Sequence, residues 1–161
     1  MVRSRLFKVA LGLSGLIVLL DQLSKWWILS VFHLPFKGVV EVLPFFNLVM
    51  VWNKGMSFGM FPAESKIGLA VLLLIPLIIV GVLIVWLRRA EAWPLALGLG
   101  LVIGGAIGNM IDRARFGAVA DFVQLHAAGY SFYVFNIADA AISIGVALLL
   151  WDAIFQRQDK A

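Results

Sequence analysis

Residues Ile67 to Leu87 run for 21 positions without a charged side chain. As an α-helix that stretch is ~31 Å long, enough to cover one bilayer hydrocarbon core. Composition agrees: 63% of the 161 residues are apolar and 14% are charged, against about a quarter charged in a soluble domain. Lipid is therefore the solvent in which this chain folds. Without cysteine there are no disulfides, thiolate metal sites or cysteine nucleophile, and two histidines, His33 and His126, are too few for a histidine metal cage. The 13 Lys and Arg are scattered or flank apolar spans and form no basic stripe, so nucleic acid is not an expected partner.

The spans expected from length and hydropathy cover about 9–29, 67–87, 93–111 and 137–155, with outer segments at about 30–66 and 112–136, in one membrane-embedded domain of residues 1–161. Val9 to Leu20 supplies only 12 residues before the first charge, Asp21, so the first span must continue through Asp21 and Lys25 to Trp26 and Trp27. Pro76 is tolerable inside the second span, because neighbouring helices can satisfy the freed backbone groups. Arg3, Arg5 and Lys8 ahead of an apolar stretch resemble a signal peptide, but no small-x-small cleavage pattern follows, and a retained anchor is expected.

Four spans put both ends on one side. Segments 1–8, 88–92 and 156–161 hold seven Lys and Arg among 19 residues, and the positive-inside rule then places both termini in the cytoplasm. In the first outer segment, Val39 to Val42 and Phe45 to Trp52, parted by Pro44, read as short strands. The expected fold class is an all-α polytopic membrane protein of four transmembrane helices with a small extracytoplasmic β-sheet subdomain at headgroup level.

Sequence position converts to depth at ~1.5 Å per helical residue in a core ~30 Å thick. Asp21 then lies ~18 Å above the cytoplasmic boundary, Asp139 ~20 Å and Asn109 ~24 Å, with Asp112 and Arg113 one turn higher. Three helices thus bring polar groups to the same outer third. An ionisable residue in a span costs at least ~2.5 to 3.5 kcal/mol, so it is kept for a partner or for a function. Asp21 has a ready partner in Lys25, four residues on in the favourable acid-first order, and both readings stay open for it. Asp139 has no basic residue within a turn or two; Asn136, three residues earlier, can hydrogen-bond its carboxyl group, and function is the better reading. Asp121 is flanked by apolar and aromatic residues, a setting that disfavours its ionised form. If the second outer segment folds back over the helix ends, Asp121 approaches Asp139, and two adjacent carboxylates do not easily both ionise. The sequence permits that proximity without requiring it.

Gly100, Gly104 and Gly108 fall on one face of the third span, the small-residue pattern of close helix packing. Gly55-Met56-Ser57-Phe58-Gly59 matches the G-x-S-x-G nucleophile elbow in letters, but that elbow needs an α/β sheet for which a membrane chain of this size has no room. The histidines read as interface residues, each lacking an obvious local partner.

Five blocks in order along nearly the whole chain resemble lipoprotein signal peptidase, the bacterial signal peptidase II family of intramembrane aspartic peptidases: Asp21-Gln22-Leu23-Ser24-Lys25, Asn53-Lys54-Gly55-Met56-Ser57-Phe58-Gly59, Gly108-Asn109-Met110-Ile111-Asp112-Arg113, Val119-Ala120-Asp121-Phe122 and Phe135-Asn136-Ile137-Ala138-Asp139. The resemblance implies cleavage of prolipoproteins before a diacylglyceryl-modified cysteine in the bacterial inner membrane, by a monomer in contact with membrane lipid and without cofactor or metal. It implies that Asp121 and Asp139 are the catalytic pair, one acting as base on a water and the other as acid. Asn53, Gly55, Asn109, Asp112, Arg113 and Asn136 then support the substrate or the carboxylates, with Asp21 and Lys25 structural or one layer behind. The stretch Gly55 to Gly59 is expected to cradle or cover the substrate near the outer face. Two other classes stay in view: a small proton-coupled carrier, which also distributes carboxylates over several spans, and a non-catalytic assembly factor holding a partner helix on the Gly100, Gly104, Gly108 face.

Overall fold

The computed structural model describes residues 2–55, 66–127 and 129–155 of the chain. Four helices are long and apolar enough to cross a membrane. The first, α1 (Val2–Trp26), continues through Asp21 and Lys25 as expected and ends in a π-helical turn, Trp27–Val31. α2 (Lys66–Leu87) holds Pro76 in its interior. α3 (Trp93–Phe116) runs five residues past the expected boundary at 111, because Asp112 pairs with Lys25 and Arg113 lies near acidic side chains within the protein, so neither ends the helix. Gly117, at φ 71°, ends it with its N–H on the Arg113 carbonyl, a left-handed residue where glycine alone carries no Cβ penalty. α4 is Ile137–Phe155.

Helix α3 is the axis, packed by α1, α2 and α4. Its glycines explain how closely. A Cβ on Gly100 would lie 2.7 Å from the Ala10 carbonyl oxygen, and one on Gly104 would lie 2.8 Å from that of Ser14. On another side, Gly98 and Gly145 face each other's carbonyls and Gly105 meets that of Ala138. Ser14 Oγ donates across the first seam to the Gly100 carbonyl at 2.7 Å. In lipid, where burying apolar surface between helices gains little over leaving it in acyl chains, such close backbone contact is what holds a bundle. The small-residue face that could have received a foreign helix is filled by α1. Below it, Leu6, Leu87, Leu99 and Ile103 form an apolar core near the end where Arg3 pairs with Glu91.

The sheet draws on both outer segments. β1 (Val39–Leu43) and β2 (Phe46–Asn53) are the two expected strands, paired as a hairpin, and β3 (Val119–Ala127) and β4 (Tyr130–Ser131) extend it in the antiparallel order β1-β2-β3-β4. β3 was not evident from sequence because Asp121, Gln124 and His126 spoil any clean alternation; Gly117 and Gly129, both at positive φ, are the punctuation that bounds it. Ile28, Leu34 and Phe122 tie the sheet to the end of the first helix.

Adding a methyl group at Gly100 should lower stability by about 1–3 kcal/mol, the usual effect of overpacking. At Gly12, where a Cβ meets nothing within 4 Å, alanine should change it by less than about 0.5 kcal/mol. Thermal unfolding of Gly100→Ala and Gly12→Ala in the same detergent checks this, and equal midpoints would contradict the packing assigned to α3.

Candidate functional site

The sequence of α4 begins with a device that also fixes a carboxylate. Asn136 is its N-cap, with its carbonyl accepting from Ala140 N. Asn136 Oδ1 accepts from Asp139 N at 2.9 Å, while Asp139 Oδ2 accepts from Asn136 N at 3.3 Å. This reciprocal pair is a capping box, with asparagine and aspartate in place of the commoner serine and glutamate. The second oxygen, Asp139 Oδ1, accepts from Asn109 Nδ2 of α3 at 2.8 Å.

Asp121 comes from β3. Phe135, next to the cap, is bonded to that strand: its carbonyl accepts from Phe122 N and Val123 N, and its N–H donates to the Val123 carbonyl. The strand bearing Asp121 is thereby joined to the first residues of α4. Asn136 Nδ2 donates to Asp121 Oδ1 at 2.7 Å, so one side chain contacts both carboxylate-bearing residues. Asn53, on β2 and two residues off directly opposite Asp121 on the same face of the sheet, donates Nδ2 to Asp121 Oδ2 at 3.1 Å. Its Oδ1 accepts from Gly55 N at 2.9 Å, and Gly55 sits at φ 76°.

Behind this lies a second polar layer. Lys25 Nζ lies 2.8 Å from Asp21 Oδ2 and 2.7 Å from Asp112 Oδ2, with Lys25 2% exposed and both acids fully buried. Lys25 also reaches Asn109 Oδ1 at 3.4 Å, which connects the two layers. Gly108 admits the arrangement, since a Cβ there would fall 2.6 Å from Asp21 Oδ2. Gln22 completes it with contacts from Nε2 to Asp21 Oδ2, Asp112 Oδ1 and the Gly108 carbonyl. Sequence reasoning assigned no role to Gln22, although it lies within the first motif block, one residue from Asp21.

Asp121, Asp139, Asn53, Asn109 and Asn136 are thus gathered into one cluster, and Asp21, Lys25 and Asp112 into the layer beneath. Arg113 is half-buried, close enough to Asp139 and Asp121 to feel their charge, and its Nε is buried without a hydrogen-bond partner among the described residues. Ser57 and the stretch from Met56 to Gly59 lie outside the described residues. His33 is exposed, and His126 bonds to Asn47 on the sheet, so neither histidine joins the cluster. An apolar cavity of about 440 Å³, lined by Leu125, Phe132, Tyr133, Phe135 and Ile144 among others, opens onto Asp139.

Burial, and after it the neighbouring charge of Asp139, pushes the Asp121 carboxyl up to about 6, against the hydrogen bonds from Asn53 and Asn136, which favour the anion. Since the ordinary value is lower, this group favours the folded state fully below pH 3.8 and loses that contribution as pH rises through about 6. A carboxyl pushed up beside a second carboxyl is the kind of arrangement that acid–base chemistry uses.

The chain is similar to known proteins over nearly its full length. The family model for signal peptidase (SPase) II matches residues 13–155. The lipoprotein signal peptidase of Rhodopseudomonas palustris (strain ATCC BAA-98 / CGA009) is 49% identical over 152 residues, 91% of this chain and 93% of that one. That of Nitrobacter hamburgensis is 49% identical over 140 residues, covering 84% and 85%. A bacterial membrane enzyme solved by the in meso method at 2.3 Å superposes with a TM-score of 0.80 at 27% identity, over 96% of this chain and 92% of its own.

Replacing Asn53 by alanine removes a bond that favours the Asp121 anion, so the Asp121 titration should move above about 6. Infrared carboxyl bands of protein carrying labelled aspartate would follow it, and an unchanged or lower midpoint would contradict the Asn53–Asp121 contact.

Proposed function

The chain belongs to the signal peptidase II family, a peptidase that removes signal peptides from prolipoproteins, and on that footing we propose that Asp121 and Asp139 are its catalytic pair. Its four apolar helices make it a multi-pass protein of the bacterial inner membrane. The observation that carries the assignment is the side chain of Asn136, which donates to Asp121 and caps the helix turn that presents Asp139.

In this reading a water sits between the two carboxyl groups. Asp139, on the first turn of α4, takes a proton from the water as its oxygen attacks the scissile carbonyl carbon. Asp121, the group that holds a proton, donates it to the carbonyl oxygen. Collapse of the resulting diol breaks the C–N bond, returns a hydroxyl proton to Asp121, and passes the proton on Asp139 to the departing amine. Arg113 and the backbone near Gly55 flank the peptide. The apolar cavity beside Asp139 receives apolar substrate, either the end of the signal peptide or the diacylglyceryl group on the cysteine. Both termini are cytoplasmic, the site lies near the outer face, and the enzyme works as a monomer; the density of Lys and Arg around residues 1–8 and 88–92 supports the orientation.

Gel-shift cleavage of a diacylglyceryl-modified prolipoprotein tests the assignment. Asp121→Asn and Asp139→Asn should each lower the rate by at least about a hundredfold while remaining folded, and normal cleavage by either variant would overturn it. In the wild type, kcat/KM should fall as pH climbs through about 6, where Asp121 gives up its proton. A rate that rose across that range would assign the pair the opposite way.

A further inference from the structure

Lys25 makes no hydrogen bond to Asp121 or Asp139, yet its two acidic partners each hold the backbone just ahead of one of them. Asp21, paired to Lys25 through Oδ2, accepts from Ala138 N through Oδ1 at 3.1 Å. Asp112, whose Oδ2 lies 2.7 Å from Lys25 Nζ, accepts from Ala120 N through that oxygen at 3.1 Å. Ala138 precedes Asp139 and Ala120 precedes Asp121. A single ammonium group therefore joins two carboxylates that grip, respectively, the start of α4 and the start of β3, the elements on either side of β4. We propose that Lys25 is a positioning residue for the cleavage reaction, setting the spacing of the two reacting aspartates through the Asp21 and Asp112 grips on Ala138 and Ala120. The inference rests on the assignment of Asp121 and Asp139 as the reacting pair.

Three features support it. The brace is fully withdrawn from solvent, where an ion pair is least screened and least able to exchange partners with water. The grips act on backbone amides, which fix the chain and not merely a rotamer. The partners come from two helices, α1 supplying Asp21 and Lys25 and α3 supplying Asp112, whose close approach is enforced by Gly104 and Gly108. A role limited to holding the helices together would affect how much enzyme folds and leave each folded molecule at its normal rate. A role in spacing the aspartates slows the chemical step itself while substrate binding persists.

The test compares Lys25→Met, Lys25→Arg, Asp121→Asn, Asp139→Asn and wild type in cleavage of a diacylglyceryl-modified prolipoprotein, normalised to folded enzyme. Lys25→Met should lower kcat by at least about tenfold with KM within about threefold, and Lys25→Arg, which keeps a cation able to bridge both acids, should recover most of that loss. A kcat per folded enzyme within about twofold of wild type in Lys25→Met, or a folded Lys25→Arg no more active than Lys25→Met, overturns the proposal. If Lys25→Met does not fold, Asp112→Asn replaces it: that variant keeps an oxygen for Ala120 N but gives up the ion pair, the same loss of kcat is expected, and an unchanged kcat again overturns it. Inert Asp121→Asn and Asp139→Asn beside an unaffected Lys25→Met would remove only the brace, whereas active Asn variants would remove the catalytic assignment beneath it.

Discussion

The first amides of α4 must be satisfied where little water can reach them, and the site is built around how that is done. A helix leaves its first four N–H groups without intrahelical partners, and in a low-dielectric setting each orphan is costly. Here Asn136 N is taken by Asp139, Ala138 N by Asp21, and Asp139 N by Asn136. The acceptors are two carboxylates and an amide, and one of those carboxylates is the group proposed to act on water. Stability of the helix start and orientation of Asp139 are therefore the same set of bonds, so Asp139 cannot swing away without uncapping its own helix. Such preorganisation suits a reaction in which both carboxyl groups must meet one water and one carbonyl.

That arrangement requires α1 and α4 to approach α3 more closely than ordinary side chains allow. The stripe Gly100, Gly104 and Gly108 supplies the space, and its members have a graded role along the membrane normal. Gly100 and Gly104 admit the backbone of α1, while Gly108 admits a charged side chain, Asp21. The same periodicity that packs two helices near the middle of the bundle opens, one turn higher, into the floor of the polar cluster. Asp21 and Asp112 share one ammonium. Further donors surround the two carboxyl groups: Ala138 N, Ala120 N and Gln22 Nε2 all point at them. Removing one partner of such a buried pair costs about 3–5 kcal/mol because the other charge is stranded.

Much of this was legible in the chain itself. The four spans follow from uncharged runs, and the gathering of Asp21, Asn109, Asp112 and Asp139 in the outer third follows from counting helical rise. The pairing of Asp21 with Lys25 and of Asn136 with Asp139 follows from three- and four-residue spacing. Interactions between segments distant in sequence were harder to see. Nothing in Val119 to Ala127 says that it pairs with β2, because strand pairing is set by the distant partners Phe46 to Asn53 and the alternation is broken by Asp121, Gln124 and His126. Counting helical rise put Asp112 one turn above Asn109, at the surface, and did not show its burial, which depends on Lys25 arriving from α1. Gln22 was passed over for the same reason: all its protein partners but the adjacent Asp21 lie on α3.

The choice of asparagine at three positions around the pair has a chemical logic. Asn53, Asn109 and Asn136 each donate an amide N–H to a carboxylate, and each carbonyl oxygen accepts in turn, from Gly55 N, from Lys25 Nζ and Asn136 Nδ2, and from Asp139 N. An amide has a donor end and an acceptor end and does not titrate, so it can link two groups in a fixed direction at any pH. Histidine or lysine at these places would supply donors too, but each would bring a proton of its own into competition with those proposed to move at Asp121 and Asp139. Serine would offer a single rotatable hydroxyl and could not span both contacts. With neutral, directional links around them and the Lys25 ammonium held one layer back on Asp21 and Asp112, the two carboxyl groups proposed to react are the acidic groups that the three amides hold. In the proposed reaction the protons then move among these two groups, the water and the substrate, while the amide links that hold the two groups do not titrate.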